Sequence, residues 1–152
     1  MQAAISARLR SLGERLEPWS YLLLRAAFGL MLMTHGIPKL LGRSHGSMAD
    51  PMAGSVHLIG NVLHLPAPVA IGWFIALLEG VGGLMLALGL LTRWVAPMVV
   101  VQMLVICWLL APTFPWIDRG FEYPLMLAVA ALLIAMRGGG RASLDDWLAR
   151  RA

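Results

Sequence analysis

The feature that most constrains this chain is the stretch 69–91, an apolar run interrupted by a single charged side chain, Glu79. A helix of about 20 apolar residues, rising ~1.5 Å per residue, is what crosses the ~30 Å hydrocarbon core of a bilayer. A soluble domain of 152 residues has too little interior to surround such a run on all sides. Three further segments share its character: 21–41, 94–111 and 121–136, the last being the shortest. Composition agrees, with 59% hydrophobic and 13% charged residues, against about 45–50% and 25% in soluble domains. The expected fold class is all-α: a polytopic membrane protein whose domain, 20–137, is a four-transmembrane-helix bundle.

With four crossings, both termini share one side of the membrane. That side collects Arg8, Arg10, Arg15, Arg93, Arg137, Arg141, Arg150 and Arg151, whereas the other holds Lys39, Arg43 and Arg119. Cytoplasmic loops carry the excess of basic residues, so both termini are expected in the cytoplasm. Trp19, Trp94 and Trp147 then fall at the inner interface and Trp116 at the outer one. The net charge of +4 sits on chain ends and loop edges rather than in a patch interleaved with aromatics, which suits anionic lipid and not nucleic acid.

The connecting segments carry their own signals. Ile5, Leu9, Leu12 and Leu16 recur at helical spacing between charges, so 1–19 reads as a cytoplasmic amphipathic helix at the interface. It is no signal peptide, because the apolar run behind it is too long. The outer loop, 42–68, is irregular through Gly42, Gly46, Asp50-Pro51 and Gly54, with a short helix expected over 56–65. Gly138, Gly139 and Gly140 end the fourth span. Ser143 with Asp146 forms a capping box for a helix over 144–151 in the cytoplasmic tail, 138–152.

Ionisable groups within a span cost ~2.5–3.5 kcal/mol on insertion scales, so they face the bundle interior and find partners. This chain has Arg25, His35 and Lys39 in the first span, Glu79 in the second and Glu122 at the start of the fourth. At ~100° per residue, Arg25, His35, Gly36 and Lys39 share about a third of the first helix, with Gly29 close by. Gly72, Ala76 and Gly83 cluster around Glu79 on the second. These small-residue faces are expected to pack against each other. Counting ~1.5 Å per residue from the inner side, Glu79 lies roughly 18 Å deep, His35 about 21 Å and Arg25 about 6 Å. His35 is then the nearer partner of Glu79, with Arg25 reaching part of the way, and Lys39 is expected to pair with Glu122 near the outer surface. The histidines, His35, His45, His57 and His64, match no metal-ligand spacing, and no metal site is expected. The single cysteine, Cys107, lies in an apolar run, which excludes an intramolecular disulfide and reads as packing.

Longer motifs also stand out. Leu22 to Leu40 reads LLLRAAFGLMLMTHGIPKL, Leu77 to Arg93 reads LLEGVGGLMLALGLLTR, Phe121 to Leu127 reads FEYPLML, and Gly138 to Asp145 reads GGGRASLD. In this order and spacing they resemble the DoxX family of bacterial membrane proteins, from about Tyr21 to Asp145. The resemblance implies a multi-pass four-helix fold in the bacterial inner membrane. It places Arg25, His35, Gly36, Lys39, Glu79, Gly83, Arg93, Glu122 and Ser143 at motif positions. The family is named for its likeness to a subunit of a thiosulfate:quinone oxidoreductase, which implies a quinone-linked redox role with a redox partner protein. The chain itself has no redox cysteine pair and no dinucleotide motif, so electrons would come from a partner or a bound quinone.

Three readings follow. The first is a quinone-linked accessory subunit of a membrane oxidoreductase, with Glu79 and His35 handling protons and Arg25 orienting or neutralising Glu79. The second is a small transporter or carrier working as a homo-oligomer, since one copy shows no inverted repeat. The third is a non-catalytic structural partner of a membrane complex. No residue is assigned a catalytic role.

Overall fold

The computed structural model describes residues 2–151, and their regular structure is helical. Helix α1, Gln2–Leu41, is followed by a short α2, Pro51–His57, that runs on into a π-helical turn, Leu58–Val62. The second long helix, Pro68–Leu88, consists of α3, Pro68–Leu77, a π turn over Leu78–Gly82, and α4, Gly83–Leu88. Helix α5 spans Thr92–Leu110, α6 spans Glu122–Arg137, and α7 in the tail spans Leu144–Ala149.

The four long elements pack in sequence order as an up-and-down bundle. Helix α5 lies along α6, and α1 along the second helix. The ring closes where Tyr123 donates to Met31 Sδ at one end and Tyr21 donates to the Gly138 carbonyl at the other. Its core draws on every member: Phe28 and Leu32 from α1, Leu86 from α4, Val99 from α5, Ala131 and Ile134 from α6. The outward faces are apolar too. Leu23, Trp73, Val101, Trp108, Met126 and Met136 are all exposed, a surface that only lipid solvates well. Among the described residues, three helices are long and apolar enough to cross a membrane: Ile5–Leu41, Pro68–Leu88 and Thr92–Leu110. Helix α6, with 16 residues, is about 24 Å long, short of the ~30 Å core.

Two connecting segments differ from expectation. Of the stretch 1–19, expected as an interfacial helix of its own, the described part, from Gln2, continues without a break into the first long helix. Its Ile5, Leu9, Leu12 and Leu16 are more than half exposed. The helix expected over 56–65 begins at Pro51, because Asp50 Oδ1 accepts from Ala53 N at 2.8 Å and Pro51 occupies the first turn. What reads as a turn dipeptide is a helix start, since proline lacks only an N–H that the first turn leaves unused. At the tail the capping box forms, with Asp146 N donating to Ser143 Oγ at 3.1 Å.

Candidate functional site

The site begins at a contact between two backbones. A Cβ placed on Gly36 would fall 2.6 Å from the Glu79 carbonyl carbon and from Gly80 Cα, and one on Gly29 would fall 2.5 Å from Ala87 N. Helix α1 and the second helix therefore touch through glycine, antiparallel, with Gly36 level with Gly80 and Gly29 set between Gly83 and Ala87. Of the residues expected on this seam, Gly29, Gly36 and Gly83 lie on it, and Ala76 is fully buried. Gly72 faces elsewhere, against Val56 and Met52 of α2. Gly80 belongs to the seam and Gly82 faces Val95 of α5. The Gly80-Val-Gly-Gly83 run signals both, once small residues are read on all sides of the helix.

Glu79 lies in the π turn beside this seam, 5% exposed. Such turns widen the helix by one residue and recur at functional sites. Two side chains meet its carboxylate. Lys39 Nζ donates to Oε2 at 2.7 Å, and Gln102 Nε2, from α5, donates to Oε1 at 2.6 Å. The other Gln102 amide atom, Oε1, is buried with no hydrogen-bond partner among the described residues. An orphaned buried acceptor of this kind is rare and costly.

The pairings expected from the sequence are corrected here. Lys39 pairs with Glu79 and not with Glu122, whose Oε2 instead accepts from Trp116 N at 3.1 Å. With Gly36 level with Gly80, the second helix overshoots the end of α1 by about seven residues, roughly 10 Å, which brings Glu79 within reach of a lysine near α1's terminus. His35 is level with Glu79, as counted, but is exposed. Its Nδ1 lies 3.2 Å from Met31 O and from Thr34 Oγ1, and its ring centroid is 4.9 Å from that of His45. An arc of a third of a helix is too broad to meet one neighbour when glycine narrows the seam. His35, rotated by ~100° from Gly36, falls off its edge.

Arg25 does not reach Glu79. It is fully buried, donating to the carbonyls of Leu86 at 2.5 Å, Ala87 at 3.0 Å and Ala142 at 2.8 Å. Leu86 and Ala87 form the last turn of the second helix, which Gly89 ends at φ 72°. The guanidinium thus meets carbonyls at the negative end of a helix and ties them to the tail. A Cβ on Gly89 would fall 2.5 Å from Arg25 Nη1, so glycine there makes room for the arginine. Asp145 completes the junction: its carboxylate accepts from Leu91 N at 2.7 Å and Thr92 N at 3.0 Å, while its own N donates to Gly89 O at 2.9 Å. Sequence reading passed over Asp145 and Gln102, because neither sits in a pattern that announces a partner so distant in the chain.

Chemically, the Glu79 cluster is a buried carboxylate with one cationic and one amide donor. Gln102 Oε1 beside it is an acceptor left without a partner among the described residues.

The DoxX family model matches residues 20–112. No curated protein matches the chain, and no solved structure does.

Proposed function

The chain belongs to the DoxX family, and from that premise we propose that it is an inner-membrane protein crossing the bilayer four times with both termini cytoplasmic. It serves, on this reading, as a quinone-linked accessory subunit of a membrane oxidoreductase. The fourth crossing is supported by the outward face of α6, where Met126, Val129, Leu132 and Met136 are all at least half exposed. A helix shorter than the hydrocarbon core is accommodated at modest cost by local thinning of the bilayer.

The observation that carries the redox reading is the Glu79–Lys39–Gln102 cluster with its orphaned acceptor. On this reading Gln102 Oε1, which has no partner among the described residues, accepts from the hydroxyl of a reduced quinone, and Glu79 beside it takes the proton. When bound, a quinone supplies two-electron, two-proton chemistry. The chain's own residues then hold the proton: Lys39 stabilises the ionised carboxylate, and Gln102 orients it through Oε1 of Glu79. Arg25 takes no part in this, being committed to backbone carbonyls. The test uses purified protein in proteoliposomes with ubiquinone or menaquinone analogues. Saturable binding that weakens in Glu79→Gln and Gln102→Leu is the expected result; no binding, or binding indifferent to both changes, overturns the reading.

A non-catalytic structural role in a membrane complex is the second reading, favoured by the ion pair itself. A buried pair with both charges satisfied also serves to fix helix register.

A further inference from the structure

The end of the bundle that carries both termini holds a feature the Glu79 cluster does not explain. A cavity of about 530 Å³ opens there, between the start of α5 and the glycine turn after α6, with Arg93, Arg137 and Arg141 in its wall. A smaller cavity of about 160 Å³ shares Arg137 and Arg141 and is bounded by Glu17 and Tyr21. Arg93 is brought there beside Arg137 and Arg141, which concentrates positive charge at one opening of the bundle.

The acidic groups in the same wall are already engaged. Asp145 has both carboxylate oxygens on the Leu91 and Thr92 amides, at 2.7 and 3.0 Å. Asp146 is ion-paired with Arg150. Arg137 is shared between Glu17 and the face of Tyr21, 4.2 Å from the ring centroid. No carboxylate among the described residues forms an ion pair with Arg93 or Arg141. Their donors are free to turn into the cavity.

The backbone is shaped to present them. Gly138, at φ 74° and ψ −156°, occupies a region essentially reserved for glycine. A Cβ there would fall 3.0 Å from Arg93 Nε, so the Arg93 side chain lies along the glycine. Leu91 and Trp94 also border the cavity, and Trp94 is 71% exposed. An apolar and aromatic rim beside paired guanidinium groups matches an amphiphile, with a phosphate at one end and acyl chains at the other.

We propose that this cavity binds the phosphate headgroup of an anionic phospholipid, held by Arg93 and Arg141 with Arg137 in support. Guanidinium groups engage phosphate oxygens in pairs, and basic pockets at the ends of membrane helices suit anionic headgroups. A soluble phosphate ester offers the same oxygens, but it has no use for the Leu91 and Trp94 rim. The site would tie α5, the end of α6 and the tail to the lipid surface. It rests on reading this end as lying at the membrane interface, and not on any role for Glu79.

The test uses the full chain in detergent, mixed with phosphatidylglycerol, with phosphatidylcholine or with inorganic phosphate, and counts retained lipid by native mass spectrometry. Phosphatidylglycerol is expected to be retained in preference to phosphatidylcholine. Arg93→Gln with Arg141→Gln should weaken that retention by roughly tenfold or more, since each arginine at an anionic surface contributes about fivefold. Both side chains are exposed, and an unchanged thermal unfolding midpoint without lipid would show that the variant folds. Arg43→Gln with Arg119→Gln removes equal charge from exposed residues at the opposite end of the bundle and should leave retention intact. Equal retention of the two lipids, no effect of the Arg93 and Arg141 changes, or displacement of the lipid by millimolar inorganic phosphate overturns the proposal. Quinone binding, read separately, is unaffected by any of these outcomes.

Discussion

Lys39 Nζ donates to Glu79 Oε2 at 2.7 Å, across a seam where the two backbones meet through Gly36 and Gly80. The glycine contact decides the pairing. It sets Gly36 level with Gly80 and leaves a flexible lysine stem about one turn from the carboxylate. Side-chain exposures of 12% and 6% keep water from screening the pair.

Removing one partner alone should therefore cost more than removing both. Glu79→Gln or Lys39→Gln is expected to destabilise by about 3–5 kcal/mol, because each leaves an uncompensated charge. The double variant should lose less than the sum. Unfolding of the four proteins in mixed micelles, analysed as a double-mutant cycle, gives the coupling; strictly additive losses would show the two side chains to be energetically independent.

The seam should tolerate no side chain at its centre. Gly36→Ala is expected to cost at least ~3 kcal/mol, the upper range for overpacking a close contact. Gly13, with nothing within 4 Å of its would-be Cβ, gains up to ~1 kcal/mol of helix propensity as alanine. Comparing thermal midpoints of the two variants checks this, and equal shifts would contradict it.

Arg25 holds the tail onto the end of the second helix. Arg25→Met strips donors from three carbonyls, at about 1–3 kcal/mol for each that stays dry. Trypsin should then cut faster after Arg141, one residue before the Ala142 carbonyl that Arg25 binds. A cleavage rate equal to that of the unaltered protein would argue that other contacts hold the tail.

Asp145 caps a helix that begins more than fifty residues earlier in the chain. Asp145→Ala should cost about 1–2 kcal/mol, as loss of an N-cap does, and Asp145→Asn should retain part of it. Amide hydrogen exchange at Leu91 and Thr92 provides the local readout: it should accelerate in the alanine variant, and protection unchanged there would remove the cap from the account.

Hydropathy and helical spacing, properties of the covalent chain, were enough to determine the helical class, the long apolar helices, the Ser143 cap and the small faces at Gly29, Gly36 and Gly83. Each reflects the energy of a segment in lipid or the geometry of a single helix, so no distant neighbour is needed to read it. The family resemblance is legible in the same way, as motifs in order. The partners of the charged residues were not. Lys39, and not His35 or Arg25, meets Glu79 because the second helix overshoots α1 and glycine narrows their contact. Gln102 and Asp145 join their clusters through packing between helices remote in sequence. Stagger, rotation and the fold-back of the tail are set by all the contacts at once, and only the tertiary structure decides them.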